Sequence, residues 1–293
     1  MKREIKVTVG ICVKNSEQTI KDALRSVLEQ DFSHESMEII IVDGYSTDKT
    51  LSIIQKELSK SNIFFRIFQE NKGLGYARQI VVDNALGNFI VWVDGDMILP
   101  KNFIRRHVEF MELHPEAGIA KGRYGVLNQA SLVAALEDLE FVMAFGQERE
   151  ISFEPLGASG CIYRVKAIRQ AGGFDANFKG VGEDMDAEYR VRIAGWKLYV
   201  SPALFFERRR NTWQTLWKEY FWHGKGGFYF FKKNKVVNPT SVFFPYLLLK
   251  KFIQITHAYK ILHQKKVIFL PIHYFFKRTA WLLGFLNGFF EWT

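Results

Sequence analysis

The amino-acid sequence predicts an α/β fold in which a mostly parallel sheet is covered by helices on both faces. Short β-branched apolar runs alternate with amphipathic, helix-length segments through the first two hundred residues. Polar residues follow several of these runs directly, where the predicted strands end. The chain has 293 residues, 48% of them hydrophobic and 24% charged, which excludes disordered, collagen-like and coiled-coil proteins.

The strands and helices are predicted in regular order. Residues 5–13, 37–42, 63–68 and 89–93 are apolar runs of the kind that lie buried inside a parallel sheet. Ser16 can cap the first helix, a second helix is expected over residues 48–60, and Gly87 ends a third. Ligands of open α/β sheets bind beyond the carboxyl ends of the strands, so the polar residues there are expected to form the site.

Charge divides the chain into two parts. Residues 206–293 carry 15 Lys and Arg against 3 Asp and Glu, a net charge of +12, whereas residues 1–205 have a net charge of −3. We expect an α/β domain over 1–205 and a helical, basic, amphipathic extension over 206–293. The apolar clusters of the extension, at 242–249, 267–276 and 279–290, are separated by basic pairs. None reaches the ~18 apolar residues of a spanning helix.

The extension therefore predicts helices that lie in the interface of a membrane, with lysines reaching the lipid head groups. Nucleic acid is not expected as a partner, because bulky aliphatic residues interrupt the basic surface. The alternative is that the tail helices pack on the first domain or on a second subunit.

Cysteine content and the first residues bear on the compartment. Cys12 and Cys161 are the two cysteines of the chain, which excludes a disulfide framework and a cysteine zinc site. Glu4 and Lys6 interrupt the first apolar run, so a strand is expected there and not a signal peptide. We expect a peripheral protein at the cytoplasmic face of a membrane, with a fully cytosolic protein as the alternative.

Two carboxylates follow the fourth predicted strand. Asp94 and Asp96 flank Gly95, and the glycine lets both carboxylates approach one hard cation such as Mn²⁺ or Mg²⁺. An isolated Asp-Gly is also a common turn, but its place behind a buried strand and downstream of Asp43 favours a metal site. Asp43 can accept hydrogen bonds from a nucleobase or a ribose.

Further candidates follow the third strand and open a later helix. The glycine of Lys72-Gly73 allows close approach of backbone to a phosphate, and Arg78 offers a bidentate fork. The pattern is neither a dinucleotide-binding fingerprint nor a Walker A loop, which disfavours dehydrogenases and P-loop NTPases. Asp184, in the Glu183-Asp184 pair, could remove a proton from a hydroxyl. By itself, the pair could equally complement the helix dipole.

Seven motifs follow one another along the chain in this order: ICVKN, VDGYSTDKT, GLGYARQ, WVDGDM, GASGCIYR, GGFD and GEDMDAEYRVRIAGW. This order closely resembles that of the family-2 inverting glycosyltransferases, over about residues 5–205. The resemblance implies a catalytic domain of the GT-A nucleotide-binding fold. It also implies transfer of a sugar from a nucleotide-diphosphate donor, a UDP- or GDP-sugar, with inversion at the anomeric carbon.

The resemblance also implies roles for particular residues. Asp43 would contact the nucleobase, Asp184 would be the catalytic base, and Glu183 would support Asp184 or contact the acceptor. The donor site would further contain Cys12, Lys14, Asn15, Lys72, Gly73, Arg78, Asp94 and Gly95. The metal would be held by Asp94 and Asp96, and the floor where sugar and acceptor meet would be lined by Gly157, Ala158, Ser159 and Gly160.

Two departures from the family pattern are relevant. Glu207 stands where many relatives place a metal-ligand histidine, and a glutamate could also ligate Mg²⁺ or Mn²⁺. Residues 208–213 lack the Q-x-x-R-W motif of the processive synthases, so processive synthesis is not expected. The basic extension predicts a lipid-linked (polyprenyl) glycan or a polyprenyl phosphate as acceptor, in cell-surface glycan or glycoprotein assembly. The alternative is a non-catalytic, membrane-associated module that binds nucleotide sugars.

Overall fold

The structure, a computed structural model, describes residues 4–127, 131–152, 154–178, 180–235, 255, 259 and 265–292. The strands are β1 (Val7–Val13), β2 (Met37–Asp43), β3 (Phe64–Gln69), β4 (Phe89–Trp92), β5 (Met97–Ile98), β6 (Ala117–Tyr124), β7 (Arg149–Ile151), β8 (Cys161–Arg164) and β9 (Lys197–Glu207). The helices are α1 (Ile20–Leu28), α2 (Thr50–Leu58), α3 (Leu74–Asn84), α4 (Phe103–Leu113), α5 (Leu132–Phe145), α6 (Val165–Gln170), α7 (Glu183–Ile193), α8 (Trp213–Asn234) and α9 (Leu270–Trp292). Short 3₁₀ helices cover His34–Ser36 and Lys265–Phe269.

Contacts within the chain divide it into two units. The first consists of Met1–Arg123, Gln147–Lys179 and Glu183–Glu207. The second consists of Tyr124–Gly146, Gly180–Gly182 and Arg208–Thr293, so it combines the basic extension with α5 from inside the α/β region. The division expected at residues 205 and 206 stays a prediction.

The first unit is built on a sheet with the strand order β3-β2-β1-β4-β8-β6-β9-β5, and β7 pairs with β9. Strands β1 to β4 pair in parallel, as predicted. The sheet as a whole is mixed, because β8 runs antiparallel to β4 and β6, and β9 runs antiparallel to β5 and β7. The first strands are joined by crossover helices, which parallel pairing requires, whereas the later strands pair with partners distant in the chain.

Strand register brings the predicted polar residues to one edge. Val13 lies opposite Asp43, and Asp43 lies opposite Gln69, so β1, β2 and β3 end level with one another. Gly10 lies opposite Trp92 of β4, and a Cβ at Gly10 would come within 2.8 Å of the Trp92 ring. The carboxyl ends of the parallel strands therefore carry Asp43 and the loops after β1, β3 and β4, as the sequence predicts.

The second unit contains α5, α8 and α9. Helices α8 and α9 approach closely at glycines: a Cβ at Gly224 would lie 1.9 Å from the Trp281 carbonyl oxygen, and one at Gly284 1.9 Å from that of Phe221. Thr212 caps α8 through a hydrogen bond from the Thr215 backbone N–H. No helix among the described residues has the length and apolar character that crossing a bilayer requires. The predicted apolar cluster at 242–249 lies outside the described residues.

Candidate active site

Asp43 is buried at the end of β2 with one oxygen unsatisfied. Its Oδ2 accepts hydrogen bonds from the Ser46 backbone N–H at 3.1 Å and from Gln69 Nε2 at 3.0 Å. Its Oδ1 is buried without a hydrogen-bond partner among the described residues. A buried carboxylate oxygen in this state carries a desolvation cost that a ligand N–H or O–H would remove. The atom is therefore suited to accept a hydrogen bond from a ligand.

Asn15 joins the loops that follow β1 and β2. It adopts a left-handed backbone conformation, with φ of 50°, and its Oδ1 accepts a hydrogen bond from the Thr47 N–H at 2.9 Å. Its own N–H donates to Ser46 Oγ at 2.9 Å. The neighbouring Lys14 is exposed, and its stem packs beside Gly44. Asn15 thus shapes the loops around Asp43, while the donor contacts expected of Lys14 and Asn15 stay predictions.

The loop after β3 is closed by Glu70. The backbone N–H groups of Lys72 and Gly73 both donate to Glu70 Oε2, at 2.6 and 3.0 Å. Gly73 has a φ of 117°, which explains the glycine, and the Lys72 ammonium lies 4.3 Å from the centre of the Tyr76 ring. The two N–H groups expected to approach a phosphate are therefore engaged by a carboxylate, and their role in donor binding stays a prediction.

Arg78 lies against the acidic pair at the start of α7. The side chain is buried, and its Nη1 donates to Glu183 Oε1 and lies 3.6 Å from Asp184 Oδ2. Its guanidinium also lies 5.8 Å from the ring centres of Trp92 and Phe174. The sequence assigns Arg78 to the donor phosphates, whereas the structure places it beside the predicted catalytic acids.

The two acids of the pair differ in environment. Burial raises the pKa of Glu183 to about 8, against the opposing charge of Arg78. Asp184 is 19% exposed, and its Oδ2 and Oδ1 accept hydrogen bonds from the backbone N–H groups of Ala158 at 3.2 Å and Met185 at 2.8 Å. Two neighbouring carboxyl groups with different environments can divide acid and base roles. Asp184 is the accessible one.

The predicted floor residues form a tight turn beside Asp184. Gly157 and Gly160 have φ values of 69° and 66°, and the Gly160 N–H donates to the Trp92 carbonyl oxygen at 3.1 Å. A Cβ at Gly157 would lie 3.7 Å from Asp184 Oδ2. Ala158 is buried, and Ser159 Oγ donates to Glu207 Oε2 at 3.5 Å. The turn is thus held between the acidic pair and the end of β9.

Strand pairing brings Glu207 to the D-x-D segment. Met97 of β5, next to Asp96, lies opposite Glu207 in the pair of β5 with β9. Burial raises the pKa of Asp94, and the charge of Glu207 raises it further, while Arg78 lowers it. Carboxylates that face each other in this way offer the oxygen ligands that Mg²⁺ and Mn²⁺ prefer. Asp94, Asp96 and Glu207 are suited to the predicted cation. Among the described residues, however, the carboxylate oxygens of these three do not all lie within 4.8 Å of one another.

In the described part of the chain, Glu137, Glu140 and His273 are the one trio of potential ligands whose atoms do gather within 4.8 Å. Lys277 donates to both glutamates, at 2.8 Å from Glu137 Oε2. An ammonium group therefore already neutralises charge between these carboxylates, so the trio is explained as an ion-pair network without a metal.

Cys12 lies at the end of β1 among charged groups. Burial raises the pKa of Cys12 to about 12, with Asp94 and Glu183 adding to the shift and Arg78 opposing it. The side chain is therefore a neutral thiol at neutral pH. It is available for van der Waals contact with a donor, and its donor role stays a prediction.

Two buried charged residues at the site were missed by the sequence analysis. Lys121 of β6 donates to the Ser159 carbonyl oxygen at 2.7 Å, and Glu188 of α7 accepts a hydrogen bond from the Leu156 N–H at 2.8 Å. Burial, with the charge of Asp184 next, raises the pKa of Glu188 to about 7. Glu188 follows Asp184 by four residues on one helix face, a spacing that could have indicated it. Lys121 gives no such signal, because a single lysine in a strand is normally exposed.

The comparisons with known proteins agree with this fold. Residues 8–170, more than half of the chain, match the model of Glycosyl transferase family 2. The chain belongs to this family. The family and the GT-A fold expected from the motifs are therefore confirmed.

Two relatives from Staphylococcus aureus are similar in sequence. The chain is 22% identical over 227 residues to poly-beta-1,6-N-acetyl-D-glucosamine synthase, covering 75% of this chain and 54% of that protein. It is 32% identical over 111 residues to poly(ribitol-phosphate) beta-N-acetylglucosaminyltransferase TarS, covering 38% of this chain and 19% of that protein. The chain thus spans about half the length of the first relative and less of the second.

Solved structures with low sequence identity share the fold. Mannosyltransferase PcManGT from Pyrobaculum calidifontis, in complex with GDP-Man and Mn²⁺, matches with a TM-score of 0.68 at 15% identity, over 98% of this chain and 87% of that one. A TarS segment in complex with UDP-GlcNAc matches with a TM-score of 0.52 at 16% identity, over 98% and 92% of the two chains.

Proposed function

We propose that the protein is an inverting glycosyltransferase that moves a sugar from a UDP- or GDP-sugar to an acceptor. The observation that carries the proposal is the accessible Asp184 carboxylate, held by Ala158 and Arg78 beside a half-buried Asp94 at the carboxyl ends of the parallel strands. Family membership supports it, as do the GDP-Man and UDP-GlcNAc complexes of structures with the same fold.

Asp43 anchors the donor through its nucleobase. Its buried Oδ1 lacks a hydrogen-bond partner among the described residues and accepts a hydrogen bond from an imide or amide N–H of the base. Uracil and guanine both carry such a donor, which is why a UDP- or GDP-sugar is proposed. Lys14, Asn15 and Cys12 lie at the end of the adjacent strand, where the rest of the nucleotide binds.

Asp94, Asp96 and Glu207 are the residues that would hold Mn²⁺ or Mg²⁺. The charges of Asp94 and Glu207 face each other, and a cation would relieve their repulsion. When bound, the ion would neutralise the negative charge of the departing diphosphate. A structure of the same fold with Mn²⁺ bound supports this choice of cofactor.

Asp184 acts as the base. It takes the proton of an acceptor hydroxyl, whose oxygen attacks the anomeric carbon from the face opposite the nucleotide. The bond from this carbon to the diphosphate oxygen breaks, and its electron pair leaves with the nucleoside diphosphate, so the configuration inverts. Glu183 supports Asp184 through their shared contact with Arg78, and the turn from Gly157 to Gly160 bounds the acceptor side.

Donor hydrolysis without an acceptor tests the proposal. A panel of UDP-, GDP- and dTDP-sugars would be incubated with the protein and Mn²⁺, Mg²⁺ or EDTA, and free nucleotide would be measured. Slow release of one nucleotide that EDTA abolishes is expected, since water can replace the acceptor. Binding without release would favour the alternative, a non-catalytic nucleotide-sugar-binding module, and absence of both would contradict the proposal.

The acceptor is proposed to be a polyprenyl-linked glycan or polyprenyl phosphate at a membrane surface, in cell-surface glycan or glycoprotein assembly. Helix α9 supports this, because large apolar side chains along it are exposed, including Ile272 at 62% and Phe290 at 71%. Exposed Lys265 and Lys266 precede the helix. Such a helix suits the interface of an anionic membrane, here proposed to be the cytoplasmic face.

Vesicle sedimentation tests this part of the proposal separately. The protein is expected to sediment with phosphatidylglycerol vesicles more than with phosphatidylcholine vesicles. Replacing Phe275 and Phe289, both about half exposed, with Ser should reduce binding to both. Negligible sedimentation with both kinds of vesicle would contradict a membrane surface as partner. It would not change the conclusion drawn from donor hydrolysis.

A further inference from the structure

Lys121 is a buried cation directly beneath the acceptor side of the site. Its residue is 1% exposed, and its Nζ donates to the carbonyl oxygens of Ser159 at 2.7 Å and Gly157 at 3.4 Å. Burial raises the pKa values of Asp94 and Glu188, and the positive charge of Lys121 opposes this effect. A buried ammonium group is costly unless it is paired and hydrogen-bonded, and here backbone carbonyls of the turn provide part of that compensation.

The geometry of the peptide bond connects Lys121 to Asp184. In a planar trans peptide the C=O and N–H groups point in opposite directions. The Gly157 carbonyl and the Ala158 N–H belong to one peptide: the carbonyl oxygen accepts from Lys121 Nζ at 3.4 Å and from Cys161 Sγ at 2.9 Å, and the N–H donates to Asp184 Oδ2 at 3.2 Å. A contact on one side of this peptide therefore sets the direction of the donor on the other side.

The same turn is fixed at its other peptides. The Ser159 carbonyl also faces Lys121, and the N–H of the same peptide, on Gly160, donates to the Trp92 carbonyl oxygen. A Cβ placed on Gly157 would lie 3.7 Å from Asp184 Oδ2 and 4.0 Å from Lys121 Nζ. The Lys121 ammonium group and the Asp184 carboxylate therefore both lie close to Gly157.

We propose that Lys121 is a positioning residue of the transfer reaction, which fixes the Gly157-Ala158 peptide so that the Ala158 N–H holds the Asp184 carboxylate toward the acceptor. The inference rests on the proposed function for its kinetic consequence. The positioning itself is a property of the turn that can be measured without catalysis. Lys121 acts through the peptide and touches neither substrate nor the reacting atoms.

Amide hydrogen exchange measures the positioning directly. In Lys121→Met the side chain keeps a similar length but loses its N–H donors, so peptides that cover residues 156–160 should exchange at least about tenfold faster. Arg164→Met is the matched control, because Arg164 likewise donates to backbone carbonyls, those of Met111, His114 and Ala117. It should leave exchange at 156–160 unchanged. Unchanged exchange there in Lys121→Met would overturn the inference.

Kinetics measure the consequence. The donor that the wild type hydrolyses serves as substrate. Lys121→Met should lower kcat, expressed per nucleotide-binding site, about 10- to 100-fold, while the Kd for UDP or GDP should stay within about twofold of the wild-type value. Counting sites by nucleotide titration separates this loss from a smaller folded fraction. Wild-type kcat per site in the variant would contradict the inference. If Lys121→Met does not fold, Lys121→Gln, which keeps one donor, should show an intermediate loss in both measurements.

Failure of the proposed function can be distinguished from failure of the inference about Lys121. A wild type that hydrolyses no donor contradicts the proposed function, and hydrogen exchange then decides the positioning role alone. A wild type that hydrolyses donor, together with a variant that exchanges and turns over like it, contradicts the role of Lys121 and leaves the proposed function in place.

Discussion

Each unit of the molecule contains a buried cation in contact with two carboxyl groups, and the two clusters differ in the direction in which the pKa of one of these groups is shifted. The site cluster, in the first unit, consists of Arg78, Glu183 and Asp184. The helix cluster, in the second unit, consists of Lys277, Glu137, Glu140, His273 and Tyr220. The helix cluster adds the imidazole of His273 and the phenol of Tyr220 to an arrangement of one cation and two carboxyl groups.

One glutamate in each cluster has a shifted pKa, and the two shifts have opposite directions. Burial is the main cause that raises the pKa of Glu183 to about 8; Arg78 opposes the shift, and the charges of Asp184 and Asp94 add to it. Burial also favours the neutral form of Glu137, but the charges of Lys277 and His273 outweigh it and hold its pKa below the usual range. The site cluster thus favours the protonated form of Glu183, and the helix cluster favours the charged form of Glu137.

This difference indicates what each cluster is for. A carboxyl group with a raised pKa next to a partly accessible carboxylate is suited to proton exchange with a ligand. In the helix cluster, Lys277 of α9 pairs with Glu137 and Glu140 of α5, so this enclosed ion-pair network joins two helices. We therefore expect substitutions in the site cluster to affect turnover and substitutions in the helix cluster to affect stability.

The largest effect is expected from Asp184→Asn. The amide keeps the shape of the side chain but cannot accept a proton, so kcat for donor hydrolysis should fall by about 10²- to 10⁴-fold. The Kd for nucleotide, measured by titration, should stay within about twofold, because Asp184 is proposed to contact the acceptor side. Turnover equal to the wild type would remove Asp184 as the base.

Lys277→Met should have the largest effect in the helix cluster. It leaves Glu137 and Glu140 buried without their ammonium partner, so the free energy of unfolding should fall by about 3–5 kcal/mol. Denaturant titration measures this. Lys225→Met is the control in the same unit, because its partner Glu291 is half exposed and the loss should stay under about 1 kcal/mol. Equal losses in the two variants would contradict the distinction.

Sequence patterns predicted the half of the fold in which local signals are strong. Strands β1 to β4 are continuous apolar runs between helix-forming segments, and each lies within two residues of its expected bounds. The antiparallel half was not predicted. Strands such as β7 (Arg149–Ile151) and β5 (Met97–Ile98) are too short to show a period, and they become strands through pairing with β9.

The site was predictable to the extent that its chemistry is local. Asp43, Asp94 and Asp184 follow strands or open a helix, and such positions can be read from one chain. The partner of Arg78 could not be read, because Glu183 lies 105 residues further along. For the same reason, a lysine such as Lys121 looks exposed until the turn at residues 157–160 is placed over it.

A smaller effect is expected from Glu188→Gln, and it concerns pH. The pKa of Glu188 is raised to about 7 in the folded protein, so the folded state binds its proton more tightly than the unfolded state does. The contribution of Glu188 to stability should then fall by up to about 3 kcal/mol as pH rises from about 4.5 to 7, and level off above. Glu188→Gln should flatten this slope in denaturant titrations, and Glu109→Gln, at an exposed glutamate, should not.

The smallest effect, that of Arg78→Lys, decides between two placements of this residue. If Arg78 holds the acidic pair, the shorter reach and single charge centre of lysine should lower kcat about tenfold and leave the Kd for nucleotide unchanged. If Arg78 instead clamps the donor diphosphate, as its place after β3 suggests from sequence alone, the Kd for UDP or GDP should rise about tenfold, and kcat at saturating donor should change little. Titration with nucleotide and donor hydrolysis on the same preparation separate the two. A rise in Kd would mean that Arg78 also binds the donor diphosphate, so that the cation of the site cluster, unlike Lys277 of the helix cluster, takes part in ligand binding.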